Sequence, residues 1–272
     1  MTENFIFAFS LTLFAGLATG IGAAIAFFAK QTNTKLLAVS LGFSAGVMIY
    51  VALMEIMQKA QESLILTLGE SKGSWVMLLS FFGGIAVIAI IDKLIPSAEN
   101  PHEAHRVEEL NDKNAQSKRK LLRMGLFSAL AIAIHNFPEG MATFIAGMTN
   151  PTIAIPIAIA IAIHNIPEGI AVSIPIFYAT GSRKKAFWLA FASGLAEPVG
   201  ALIGYGLILF FFGGEMPEAI LGIMFAAVAG IMVFISLDEL LPAAEEYGEH
   251  HLAIYGLIAG MAVMGVSLVM FV

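Results

Sequence analysis

Apolar residues fall into eight long runs along the chain, at about 5–29, 35–58, 74–95, 122–148, 152–178, 185–212, 217–241 and 250–272. Each run holds about 22–28 residues, roughly 33–42 Å of helix, which crosses a hydrocarbon layer about 30 Å thick with some tilt. The pattern predicts an all-α polytopic membrane protein of eight transmembrane helices, a single transmembrane domain over 1–272. One long connection, 96–121, gathers Glu99, Glu103, Arg106, Glu108, Glu109, Lys118, Arg119 and Lys120. It reads as a solvated loop between the third and fourth spans.

Polar positions inside the runs carry the chemistry. The fourth and fifth runs each contain one hexapeptide, His135-Asn136-Phe137-Pro138-Glu139-Gly140 and His164-Asn165-Ile166-Pro167-Glu168-Gly169, 29 residues apart. On a helix, residues i and i+4 lie about 40° apart around the axis and one turn above each other, with i+1 about 100° away. Each helix therefore projects an imidazole, a carboxylate and an amide from one face, at a depth where polar groups are costly and mark function. Two such helices face to face supply a nitrogen/oxygen cage for a divalent metal ion. Pro138 and Pro167 cannot donate to the residue four before them, which frees the carbonyls of Ile134 and Ile163. In lipid, such carbonyls persist only where protein or a water-filled cavity satisfies them. One copy of the motif also fits the blander reading of a proline-kinked helix with a hydrogen-bonded histidine. Two copies in adjacent helices point to a ligand site.

Composition narrows the chemistry further. A 272-residue chain that is 58% hydrophobic and 12% charged, with mean hydropathy +0.86, belongs in a bilayer. It has no cysteine, so disulfides and thiolate ligands are excluded, and a metal must be held by imidazole, carboxylate, amide, thioether or backbone oxygen. The net charge of −6 disfavours nucleic acid as a partner and suits cations. The N-terminus lacks a basic n-region and a small-residue cleavage site, so the first run is expected to be a retained span. Of the 14 Lys and Arg, all but Lys59 and Lys72 fall on one side of the eight runs. The positive-inside rule makes that side cytoplasmic, with the 96–121 loop on it and both termini outside the cytoplasmic (inner) membrane. Spans 4 and 5 then run in opposite directions, and a pseudo-two-fold axis in the membrane plane relates their hexapeptides, as in transporters with a midplane site.

Counting along the spans puts His135, His164, Glu197 and Met48 near mid-depth. Glu197-Pro198 is a third buried carboxylate beside a third proline. Met48 offers a soft thioether, although methionine at such a position is more often packing. Glu55 lies towards the outer end of its span, whereas Asp92, Asp238 and Glu239 lie near inner ends. Asp92, beside Lys93, reads as snorkelling to water. Glu55, Asp238 and Glu239 are pathway candidates, outer and inner staging points for a cation. His102, His105, His250 and His251 fall on the cytoplasmic side and read as solvated loop histidines. Gly-xxx-Gly pairs at Gly16/Gly20, Gly42/Gly46, Gly200/Gly204 and Gly256/Gly260 permit close helix approach. They do not choose between packing within one chain and packing between two copies in a homodimer.

These residues resemble the ZIP family of divalent-metal transporters. The resemblance covers essentially the whole chain: eight spans, outward termini, a long loop after span 3, and the paired hexapeptides. It implies a three-plus-two-plus-three, inverted-repeat arrangement, with spans 1–3 and 6–8 related by inversion around 4 and 5. It further implies a binuclear site. His135, Glu139, His164 and Glu168, with Met48 nearby, would hold the principal ion. Asn136, Glu139, Asn165, Glu168 and Glu197 would hold a second, Glu139 and Glu168 bridging the two. Some relatives carry Gln-Asp where this chain has His164-Asn165, which makes this site richer in imidazole and poorer in negative charge. Family members are thought to move by an elevator-like slide of spans 1, 4, 5 and 6 against the rest.

The expectation is an inner-membrane importer of divalent metal, with the metal as transported substrate and no separate cofactor. Mixed N/O ligands fit zinc, iron(II), cobalt and manganese, with cadmium as an intruder, and do not rank them. Ligation needs neutral histidine and ionised carboxylate, so uptake is expected to fall on acidification. Two rivals stand beside it. An intramembrane metallohydrolase would retain its metal through turnover, but a His-Glu-x-x-His motif is absent. A metal-independent proton or organic-cation carrier would use the same acids without metal, for which two histidines each paired with glutamate and asparagine are over-provided.

Overall fold

The computed structural model describes residues 2–28, 34–94, 115–149, 151–214, 217–247 and 250–270. Among these residues there is no strand, and the chain forms eight helical rods. They are α1, Thr2–Phe28; α2, residues 34–68; α3, Glu70–Leu94; α4, Ala115–Thr149; α5, Pro151–Thr180; α6, Arg183–Phe212; α7, residues 218–247; and α8, His250–Met270. By length and composition, α1–α3 and α5–α8 are apolar enough over their described residues to cross a membrane. In α4, His135, Asn136 and Glu139 are buried within the protein.

The boundaries depart from the hydropathy pattern in two ways. Helix α4 begins at Ala115, inside the stretch read as loop, while the loop's remaining residues 96–114 lie outside the described residues. Helix α2 runs ten residues beyond its apolar stretch to Leu68. Lys59, Gln61 and Glu62 are helical there, and the apolar span of this helix extends through them to Leu68. Glycines with positive φ then close the rods. Gly69 (φ +82) turns α2 into α3, and Gly213 (φ +66) stops α6 by donating its N–H to the Leu209 carbonyl at 3.1 Å. Helix α6 breaks at Leu195, because Pro198 has no N–H for the carbonyl of Gly194. That carbonyl is turned against Gly16 of α1, where an added Cβ would come within 2.6 Å of it.

Helices α2 and α7 share a device. Each runs 18 α-helical residues, passes through a five-residue π turn, Ala52–Ile56 or Ser236–Leu240, and continues as α-helix. The sequences there match in register: Ala45-Gly46-Val47-Met48-Ile49-Tyr50-Val51-Ala52-Leu53-Met54-Glu55-Ile56 against Ala229-Gly230-Ile231-Met232-Val233-Phe234-Ile235-Ser236-Leu237-Asp238-Glu239-Leu240.

Backbone-to-backbone packing divides the rods into two sets. A Cβ at Gly22 would strike the Ile166 carbonyl, one at Gly169 that of Thr19, and one at Gly200 that of Phe137, which locks α1, α4, α5 and α6 together. In the other set, Gly46 meets the Leu257 carbonyl, Gly230 that of Phe81, and Gly222 packs on Leu64, which joins α2, α3, α7 and α8. Among the described glycines, none makes such a contact from one set to the other. All four Gly-xxx-Gly pairs are used within the chain: Gly16/Gly20 and Gly200/Gly204 in the first set, Gly42/Gly46 and Gly256/Gly260 in the second. The sets meet along α2–α5 and α4–α7.

Candidate metal centre

The two hexapeptides face each other across the α4–α5 contact. His135 Nε2 lies 3.3 Å from Glu168 Oε1, and His164 Nε2 lies 3.3 Å from Glu139 Oε2. Each histidine thus pairs with the glutamate of the other helix, not with the one four residues along its own. The residue numbers in the two pairs have the same sum, which is the register of antiparallel helices with a two-fold axis between the pairs. Each glycine that ends a hexapeptide gives its neighbours room. Gly140 packs on the backbone of Glu197 and Gly169 on the Thr19 carbonyl, so α6 and α1 approach the site to backbone distance.

That approach brings Glu197 in. The Asn165 amide donates from Nδ2 both to Glu197 Oε1 and to the Ala15 carbonyl, the latter at 2.9 Å. Asn136 Nδ2 reaches the Ser193 carbonyl at 3.4 Å, just before the break in α6. Glu197 lies close enough to Glu139 and Glu168 for their charges to act on it. His135, Asn136, His164, Asn165, Glu168 and Glu197 are 0% exposed and Glu139 is 1% exposed, so three carboxyl groups, two imidazoles and two amides are buried together.

Seven atoms of this cluster have no hydrogen-bond partner in the protein: His135 Nδ1, His164 Nδ1, Glu139 Oε1, Glu168 Oε2, Glu197 Oε2, Asn136 Oδ1 and Asn165 Oδ1. Burying a polar atom without a partner costs about 1–3 kcal/mol, so a cluster of them is maintained for something outside the chain. Two imidazole nitrogens and five oxygens form a donor set for a borderline divalent cation. Among the described residues, no three His, Asp or Glu side chains already close on one point as metal ligands do. Each histidine is instead engaged by the glutamate facing it.

The other candidates divide. Met48 is fully buried on α2, one turn beyond Ser44, whose Oγ donates to the His164 carbonyl at 3.2 Å. Helix α2 thus satisfies the carbonyl next after the one that Pro167 frees. Glu55 is half-buried in the π turn of α2, and Asp238 and Glu239 are half-buried in that of α7. His250 is exposed and pairs through Nδ1 with Glu245 Oε1 at 2.8 Å, and His251 stacks on Tyr255. His102 and His105 lie outside the described residues. Sequence reasoning missed Ser44, Thr19, Ser193 and the Ala15 carbonyl. Small polar residues in an apolar run look like packing, and a backbone carbonyl has no signature at all.

A family model described as ZIP Zinc transporter matches residues 93–268. The chain is 65% identical over 271 residues to a protein of Chlorobium chlorochromatii named Zinc transporter ZupT, with 100% of both chains covered. A Clostridium perfringens protein of the same name is 60% identical, covering 99% of this chain and 98% of its own. One from Nitratidesulfovibrio vulgaris is 55% identical, with 98% of each covered.

Proposed function

Because the chain belongs to the ZIP zinc transporter family, we propose that it imports divalent metal, zinc first, across the inner membrane into the cytoplasm through the His/Glu/Asn cluster between α4 and α5. The observation that carries this is the set of seven buried, unpartnered donor atoms gathered around a two-fold axis. A hydrated ion exchanges waters for these groups. The two His–Glu contacts open, both imidazoles ligate as neutral bases, and Glu139 and Glu168 turn towards the ion from opposite helices. Glu197, with Asn136 and Asn165, holds a second ion. Iron(II), cobalt, manganese and cadmium satisfy the same donor set.

All eight rods cross the bilayer, with both termini outside and the 96–121 connection in the cytoplasm. The ion passes Glu55 on the way in and Asp238 and Glu239 on the way out. The matched π turns and sequences of α2 and α7 support the three-plus-two-plus-three inverted repeat. The glycine-packed sets support movement of α1, α4, α5 and α6 as one body against α2, α3, α7 and α8. Symmetric duplication favours a pathway over a hydrolytic centre, and paired imidazoles exceed what a metal-independent carrier needs.

The test is zinc flux, with cadmium alongside, into proteoliposomes carrying purified wild type or Glu168→Ala while internal pH is recorded. Saturable uptake that the variant loses is expected. Metal held through repeated washing with no flux would favour the hydrolase, and cation flux without metal would favour the carrier.

A further inference from the structure

The two seams between the sets of helices are built differently. At the α2–α5 seam, Ser44, 0% exposed, donates from Oγ to the carbonyl of His164 at 3.2 Å. In the shared α2/α7 register, Ser44 precedes Ala45 as Val228 precedes Ala229. Val228 is also buried, at 4% exposed, but it has no hydroxyl to offer the facing helix. The α2–α5 seam is also the more extensive of the two. Two halves that match in sequence register therefore meet the metal cluster asymmetrically.

We propose that Ser44 is a one-sided latch: its hydrogen bond to the His164 carbonyl holds the α1/α4/α5/α6 body against α2 in the arrangement described, and Val228 supplies no matching bond in the opposite arrangement. The chain therefore rests in the present state. The bond joins the two bodies at a carbonyl of the metal-binding hexapeptide itself, so releasing it is coupled to movement of the site. It is also weak enough to open. When the bodies part, the Ser44 hydroxyl can turn to the Ser40 carbonyl one turn back on its own helix, the usual refuge of a serine in an apolar helix.

The proposal rests on the two bodies moving against each other, and the experiment separates the two ideas. The chain has no cysteine, so spin labels at Lys93→Cys on α3 and Lys184→Cys on α6 report one distance between the bodies. The full chain is measured in lipid nanodiscs without metal and with zinc. Wild type should give a dominant and a minor distance. Ser44→Ala should raise the minor population about three- to fivefold, the value of one buried hydrogen bond, without changing the number of zinc ions bound. Val228→Thr, of the same shape with a hydroxyl added, should move the ratio in the same direction. Two populations that neither variant moves would overturn the latch alone. A single distance in every sample while zinc flux persists would overturn the moving bodies and the latch together. Should alanine at 44 prevent folding, an unchanged ratio in Val228→Thr overturns the latch.

Discussion

Glu168→Gln changes one atom type at the centre of the site and leaves its volume alone. In the wild type, Glu168 Oε1 faces His135 Nε2 at 3.3 Å and Oε2 has no protein partner, with the whole residue at 0% exposure. Glutamine keeps an acceptor oxygen and the packing, but removes the charge meant for the cation. The apo melt is read alongside, since losing the charge of one partner in the buried His135–Glu168 pair costs stability of its own. Zinc binding should collapse. Disturbing even an outer-shell partner costs 10–100-fold in metal affinity, so a lost ligand charge should cost about 100-fold or more. At a zinc concentration 100 times the wild-type Kd, binding stabilises the wild type by about 2.7 kcal/mol. With Kd raised 100-fold, the same zinc stabilises the variant by about 0.4 kcal/mol. Thermal melting of purified protein with and without zinc reads this difference directly. An apo midpoint like the wild type's, together with a full zinc-induced shift in Glu168→Gln, would refute the assignment of this carboxylate to the ion.

Glu139→Gln should behave alike in the same melts, because the antiparallel register gives it the equivalent place opposite His164. Glu197→Gln should lower zinc flux less than either, measured in proteoliposomes, because Glu197 meets Asn165 rather than a histidine. Lowering external pH should slow zinc uptake, since the metal must displace protons from both imidazoles before they can ligate; a rate that climbs steadily with acidity would instead mark tight proton symport. Gly140→Val should abolish monodisperse protein on size exclusion, because its side chain would overlap the Glu197 backbone. Gly83→Ala, where an added Cβ meets nothing, should be tolerated and gain up to about 1 kcal/mol in helix stability by thermal melting.

The helices, and the faces on which their polar residues lie, were legible because both depend on local pattern. Runs of apolar residues demand helices in lipid, and a His/Glu pair at i,i+4 must share a face. What escaped depends on partners. Spacing shows that His135 and Glu139 point the same way, but not that each bonds across to the other helix; that choice belongs to the α4–α5 register. The π turns at Ala52–Ile56 and Ser236–Leu240 leave no mark in hydropathy, since an extra residue in one turn shifts the apolar face only slightly. Helix α4 starts earlier than its apolar run because Lys and Arg suit a helix as well as they suit a loop. Ser44 was visible only as a neighbour of Met48, and its bond to the His164 carbonyl needed the fold.

Whether the facing hexapeptides hold zinc is tested most directly by X-ray absorption at the zinc edge of the loaded, purified protein. With no cysteine in the chain, the account predicts a first shell of nitrogen and oxygen at about 2.0–2.2 Å, carrying the outer-shell scattering of two imidazoles. Substituting alanine at both His135 and His164 should remove that scattering. An all-oxygen shell in the wild type, or imidazole scattering that survives the double substitution and disappears on replacing His250 and His251, would put the metal elsewhere and contradict the account.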